Sequence, residues 1–289
     1  MPITDASDFL STSPTILLDA HVHLHGRFDS TVFLDSARAN FRAAAIRTGR
    51  QGSVGCLWLT DTPEERSFRR LHQAVQKEPL NGWSLSYTAE PTSLVASHES
   101  GDTLLLLAGR QIATRERFEV LALGSEADFP AGQSLTATLT GVRKSGAIAV
   151  IPWGFGKWWF RRHSLLAATL TSFPPDGLFI GDNGGRPRAL RRPRLFELAA
   201  SRGIYNLPGS DPLPLRWEIN KPGRLGAVLE GPIDLSRPTA SLLRTLLTLR
   251  AQPPLFGYQE SLAGFVKSQI GLRLPGRPGR APAHTAGSN

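Results

Sequence analysis

The chain has a single cysteine, Cys56, which excludes internal disulfides and any multi-cysteine zinc or iron–sulfur site. Lysine is scarce too: Lys77, Lys144, Lys157, Lys221 and Lys267 are the only ones among 33 basic residues, and the rest are arginine. No apolar run approaches the roughly 18 residues a spanning helix needs. The longest, Leu104 to Ala108, has the length of a strand. The opening segment Met1–Phe9 carries two aspartates and no basic cluster, unlike a secretory signal. These absences point to a cytoplasmic protein with no membrane partner. With 40% hydrophobic residues in 289, the chain is long and apolar enough to bury a sizeable core, and extended disorder is excluded for most of it.

The net charge is +9. Arginine binds phosphate bidentately, so the excess suits an anionic substrate or nucleic acid, although an arginine-biased genome gives the same composition. Part of the excess lies in Arg273–Asn289 (RLPGRPGRAPAHTAGSN), which has three arginines and no acid and reads as a disordered tail. The arginines at 188, 191, 192 and 194 read as the solvated start of a helix. No aromatic-interleaved basic stripe or binding module supports nucleic acid strongly, and it stays a weakly supported partner beside a small anionic substrate.

Short apolar runs alternate with stretches of helical period. Strands are expected at Ile16–Leu24 and Val54–Thr60, with a helix between them at Asp35–Thr48, opened by Asp35-Ser36 and stopped by Gly49. A helix is expected over Pro63–Val75, with proline in its first turn. Trp83–Ala89, Thr103–Ala108 and Phe118–Leu123 then read as strands without room for helices, hence a local antiparallel section. Alternation resumes with helix Leu135–Lys144, strand Ala147–Pro152, helix His163–Ser172, strand Leu178–Gly181, helix Arg194–Ser201 and strand Ile204–Leu207. This order predicts one α/β domain with a mostly parallel sheet or barrel over residues 14–272, between an extension at 1–13 and the tail at 273–289. Polar or unusual residues fall where these strands end: His21 and His23, Asp61, Gln111, Trp153, Asp182 and Asn183, and Asp211. In α/β barrels that face carries the active site.

The sharpest motif is Asp19-Ala20-His21-Val22-His23-Leu24-His25. Alternate residues of a strand share a face, so His21 and His23 can hold one metal, joined by His25 if the strand stays regular. Neutral imidazole suits zinc, manganese and iron, and such an ion lowers the pKa of a bound water toward neutrality. Asp211, in Pro208-Gly209-Ser210-Asp211-Pro212, is the natural carboxylate partner, although Ser-Asp-Pro also makes an ordinary turn. Two further loops look site-like. Trp153-Gly154-Phe155-Gly156-Lys157-Trp158-Trp159 can stack on a planar group and meet an anion through Lys157, or simply cap the domain. In Gly181-Asp182-Asn183-Gly184-Gly185-Arg186-Pro187, Asp182 can act as a base or ligand and Arg186 can bind phosphate, or the loop is a turn with a solvated arginine. His72, His98 and His284 are assigned to no site. His163 is kept for proton transfer, and Glu116 and Glu119 await the register of their strand.

Together these segments resemble the polymerase and histidinol phosphatase (PHP) family of metal-dependent phosphoesterases. DAHVHLHG resembles its opening Asp-x-His-x-His, and Thr60-Asp61-Thr62 its Thr-Asp-His. Ala108–Thr114 with the following strand resembles its Gly-x-Glu-x-Thr stretch, Gly146–Pro152 the strand ending in Ala-His-Pro, and Gly209-Ser210-Asp211 its closing Gly-Ser-Asp-x-His. The resemblance runs over residues 16–215 and implies a distorted (β/α)7-type, TIM-like barrel with metals at the strand ends. The chain departs from the pattern at four places: Thr62, Gln111, Trp153 and Leu213 stand where the family has histidine, glutamate, histidine and histidine. Only His21, His23 and Asp211 carry over as ligands. The resemblance thus implies a reduced site holding fewer divalent ions (manganese, zinc or iron) than a typical member, with Gln111 hydrogen-bonding the substrate. The expectation is a metal-dependent hydrolase acting on a small phosphorylated substrate through metal-bound hydroxide, with Asp182, Lys157 and Arg186 as catalytic residues. An amidohydrolase-like hydrolase and a catalytically weak ligand- or partner-binding protein are the alternatives.

Overall fold

The computed structural model describes residues 14–75 and 80–274. Its strands are β1 (Ile16–Val22), β2 (Val54–Asp61), β3 (Trp83–Tyr87), β4 (Ser93–His98), β5 (Thr103–Ala113), β6 (Glu119–Leu123), β7 (Ile148–Pro152), β8 (Leu178–Gly181), β9 (Leu225–Leu229) and β10 (Leu255–Gly257). The helices are α1 (Ser30–Thr48), α2 (Ser67–Ala74), α3 (Leu135–Lys144), α4 (Arg161–Ser172), α5 (Leu195–Ser201), α6 (Pro238–Leu247) and α7 (Leu262–Gly271). The strands form one open, mixed sheet in the order β10-β9-β1-β2-β5-β6-β7-β8, with β4 and β3 attached beside β5. Pairing is parallel for β1–β2, β2–β5 and β7–β8, and antiparallel through β3–β4–β5–β6–β7, as the missing helices between Trp83 and Leu123 require. The expected N-terminal extension and most of the expected tail lie outside the described residues, and so does His284.

Both faces of the sheet are buried, which is why the strands read as continuous apolar runs. Leu17, Val22, Leu57, Leu59, Leu104 and Leu106 pack with α1 and α2 on one side. Ile16, Leu18, Ala20, Cys56, Trp58, Leu105, Leu107 and Leu121 pack on the other. Along β1 the alternation breaks once. The register with β2 shifts between Asp19 and Val22, so Leu17 and Val22, an odd and an even residue, share the helix-covered face. The irregularity turns His21 and His23 to the inner side, where a regular strand would have sent them outward with Leu17.

Several boundaries differ from the sequence expectation. Helix α1 starts at Ser30 because the Asp29 carboxylate caps it, accepting from Val32 N at 2.9 Å, while Asp35 accepts instead from the Trp83 indole. Helix α2 starts at Ser67 because Asp61 reaches forward to accept from Ser67 Oγ and Phe68 N, leaving 63–66 as a turn. His98, assigned to no site, ends a strand, β4, whose serines hid its pattern. Ile204–Leu207 is not a regular strand, but the segment around it holds backbone bonds on both sides. Tyr205 O and Leu207 N meet Ile180, and Gly209 N meets Asp182 O; on the opposite edge Ala20 N donates to Pro208 O, and Asp211 N to His21 O. That segment therefore ties β8 to the C-terminal half of β1, whose N-terminal half pairs with β9.

Candidate metal centre

The segment 208–211 comes so close to β1 that Gly209 has no room for a side chain: a Cβ there would stand 2.4 Å from both His21 N and His21 Cβ. Asp19 fixes this approach from below, accepting from Ser210 N at 2.9 Å and Gly223 N at 2.8 Å. Complete burial outweighs these bonds and pushes the Asp19 carboxyl up to about 7. The turn places Asp211 in the left-handed region, φ 44°, which aspartate tolerates better than most residues.

Four side chains converge here. His21 Nε2 and His23 Nε2 lie 3.1 Å apart, and Gln111 Oε1 from β5 is 3.0 Å from the first and 3.2 Å from the second. Asp211 Oδ1 is 3.5 Å from His21 Nε2 and 3.6 Å from His23 Nε2. Donors about 2.0–2.1 Å from a tetrahedral ion sit about 3.3–3.4 Å from one another, the tetrahedral edge being 1.63 bond lengths. The observed separations bracket that value, and His21, His23 and Asp211 form a group with ligand atoms within 4.8 Å of one another. Two imidazole nitrogens, a carboxylate and a weak neutral oxygen therefore fit a divalent cation.

The electrostatics favour positive charge here, whether it is carried by an ion or by a proton on His23. Burial lowers the His21 imidazole, so it favours its neutral form. Burial opposes charge on His23 too, but the Glu65 and Asp211 carboxylates prevail and push it up to about 9. Burial would raise Asp211; the two imidazoles, the Asn183 amide and Lys157 together hold it below its ordinary value. Asn183 donates its amide to Asp211 Oδ2 and to Trp153 O, fixing the carboxylate from behind.

Glu65 was missed by the sequence reading. Its Oε2 lies 3.1 Å from His23 Nδ1, and its Oε1 contacts His25 Nδ1. His25 Nε2 in turn lies 2.7 Å from Pro212 O. His25 thus joins Glu65 to the Asp211 turn and does not face the cluster with its neighbours. A carboxylate on the far nitrogen of a ligand histidine orients the ring and fixes its tautomer. The only sequence signal was the position of Glu65, four residues beyond Asp61.

The cluster opens into a cavity of about 410 Å³, lined among others by Thr62, Gln111, Glu119, Trp153, Phe155, Lys157 and Phe265. Lys157 is in this wall, ion-paired with Glu119. The register of β6 sends Glu119 to the cavity, whereas Glu116 accepts from Leu135 N at the start of α3. Asp182 and Arg186 do not reach it. They are buried against each other, with Arg186 Nε and Nη2 at 2.7 and 2.8 Å from the two carboxylate oxygens, and Gln259 also binds Asp182. Their places in a glycine-rich loop four residues apart looked catalytic; the bidentate pair leaves neither group free for substrate. Thr62 lines the cavity, while Asp61 is used up as the α2 cap. His163 lies exposed on α4, outside the cavity lining. Of the tryptophans, Trp158 packs on Phe196 in the core, Trp153 lines the cavity and Trp159 is partly exposed, so the segment is cap and cavity wall at once.

No family model matches the chain, and no curated protein matches it. Among solved structures, the crystal structure of PsfC from Pseudomonas syringae PB-5123 is similar, with a TM-score of 0.53 at 14% identity, covering 89% of this chain and 96% of that one. Likeness at that identity speaks for the fold alone. No helix among the described residues is long and apolar enough to cross a membrane.

Proposed function

We propose that this protein is a metal-dependent phosphoesterase with a reduced site on a (β/α)7-type scaffold, acting in the cytoplasm on a small phosphorylated substrate. The observation that carries the reading is the convergence of His21 Nε2, His23 Nε2, Asp211 Oδ1 and Gln111 Oε1 at the edge of a cavity that also presents Lys157. The double-sided bonding of 204–211 supports the ring-like scaffold. When bound, a divalent ion (manganese, zinc or iron) supplies Lewis acidity and brings the pKa of a coordinated water toward neutrality. The chain's own groups do the rest. His21 and His23 would hold the ion through Nε2, and Asn183 would keep the Asp211 carboxylate turned toward it. Lys157, neutralised by Glu119 before substrate enters, meets the phosphoryl charge, and Glu119 is placed to take up a proton.

Two measurements test this. Elemental analysis of the purified protein should find a stoichiometric divalent metal, and an aryl phosphate should be hydrolysed with manganese, zinc or iron added. Protein that takes up no metal would favour the ligand-binding reading, which the Lys157–Glu119 pairing and the four departures from the family pattern support. The amidohydrolase-like reading asks for His163 or a modified lysine to complete the metal site; His163 stands outside the cavity, and the lysines that line it, Lys157 and Lys221, are ion-paired with Glu119 and with Glu218 and Glu260.

A further inference from the structure

One face of α7 and its C-terminal end line the cavity: Phe265, Ser268, Gln269 and Leu272, at helical spacing, form part of its wall. Phe265 meets Phe155 with ring centroids 5.0 Å apart, and Phe155 meets Trp159 at 4.9 Å, edge to face. Phe155 stays 46% exposed despite these contacts. Trp153, Leu213 and Pro214 continue the apolar wall, and the buried Trp153 indole N–H has no acceptor. The cavity thus joins two kinds of surface: the cluster and Lys157 supply charge and ligand atoms, and two phenyl rings with aliphatic groups supply apolar wall.

The polar groups on that side are already engaged, Lys221 with Glu218 and Glu260, Ser268 with Glu218 and Gln269 with Arg273. A polyol or sugar substrate would have to break those contacts to pair its hydroxyls, which costs free energy for every group left unpaired. A flexible alkyl chain would be accepted but would lose rotamer freedom on entry. A rigid planar ring avoids both costs, and aromatic faces and edges give it directional contacts with Phe155 and Phe265. A cavity of about 410 Å³ corresponds to a sphere roughly 9 Å across, enough for one ring and one phosphoryl group. We infer that the wall formed by Phe155, Phe265 and Trp153 is a subsite for a planar aromatic group, so the substrates are aryl or arylmethyl phosphates. The placement of the phosphoryl end rests on the function proposed above; the aromatic wall does not.

Phosphonates separate the two, because they bind but are not hydrolysed. Binding of phenylphosphonate, n-butylphosphonate and methylphosphonate to the full chain is measured by calorimetry, with the metal content of the same samples determined. Phenylphosphonate should bind ten- to a hundredfold tighter than methylphosphonate and clearly tighter than the butyl compound, the scale expected for burying one ring against two others. Phe155→Leu and Phe265→Leu, which keep apolar bulk but remove the rings, should reduce the phenyl affinity tenfold or more and bring it down to the butyl value. Equal binding of phenyl and butyl compounds, or a phenyl preference untouched by both variants, would overturn the inference. A phenyl preference that responds to the variants in protein without metal would uphold the aromatic subsite and remove the metal-dependent reading.

Discussion

Replacing Glu65 probes the candidate centre through a residue that touches two histidines without joining the group that faces the ion. With Glu65 accepting at Nδ1, the His23 ring is held so that Nε2, the atom 3.1 Å from His21 Nε2, points into the cluster. In Glu65→Gln the amide oxygen still accepts from His23, and the amide nitrogen can donate to His25 Nδ1, whose other nitrogen is already turned to Pro212 O. Orientation survives and only the charge is lost, so zinc affinity should fall about tenfold, or about 1.4 kcal/mol. Glu65→Ala loses both contacts, and the expected loss is about a hundredfold, or about 2.8 kcal/mol. Competition with a chromophoric chelator at about pH 9, where a proton on His23 no longer competes with the ion, measures the affinities, and thermal melts show whether the fold is kept. The pH dependence adds a second readout. His23 is pushed up to about 9, so below that pH an arriving ion must displace its proton. Wild-type affinity should therefore rise about tenfold per pH unit from neutrality toward 9 and then level off, whereas Glu65→Ala, with no carboxylate to favour the imidazolium, should level off earlier. An alanine variant that binds zinc as tightly as wild type, or a wild type indifferent to pH over this range, would refute the reasoning.

His21→Ala combined with His23→Ala should abolish both metal uptake and phosphoester hydrolysis while circular dichroism stays unchanged; activity surviving that loss would put the chemistry elsewhere. Lys157→Ala should lower kcat/KM for an aryl phosphate roughly ten- to a hundredfold, the scale of a lost charge-assisted contact. Arg186→Ala should leave the buried Asp182 without its cationic partner, with only neutral donors such as Gln259, costing about 3–5 kcal/mol in chemical denaturation while metal stoichiometry per folded molecule is retained. Gly209→Ala should lower Tm and metal content together, because its Cβ meets the His21 backbone directly.

The candidate ligands were legible in the sequence because strand ends and tight turns have strong local signatures: alternating histidines after an apolar run, and Gly-Ser-Asp before proline. What brought His21 and His23 inward was not. A strictly alternating β1 would have put them on the helix side with Leu17, and the register shift that re-aims them comes from pairing with β2, which one strand's pattern does not encode. Glu65 was hidden for a related reason. Its segment reads as the start of a helix, and only the capping of α2 by Asp61 leaves it as a turn beside the histidines. Asp182 and Arg186 misled because a glycine-rich loop after a strand is equally good at closing an internal ion pair and at holding a ligand. Between residue 215 and the expected tail the sequence reading placed no helix or strand, so the α7 wall of the cavity had no counterpart in it.

The seam between β1 and residues 208–211 joins parts of the chain about 190 positions apart, as the Asp19–Ser210 bond illustrates. Closing a loop that long costs on the order of 5 kcal/mol in chain entropy before any contact compensates. The candidate ligands stand on opposite sides of this seam, His21 and His23 on one and Asp211 on the other, so no early segment of a growing chain contains them all. A bound ion would act as a clasp, adding its binding free energy to this long-range closure and little to the helices and strands around it. Metal-free protein should therefore open here first, and amide exchange at Ala20 and Asp211 would slow on metal addition while that at Leu57 or Leu106 hardly changes.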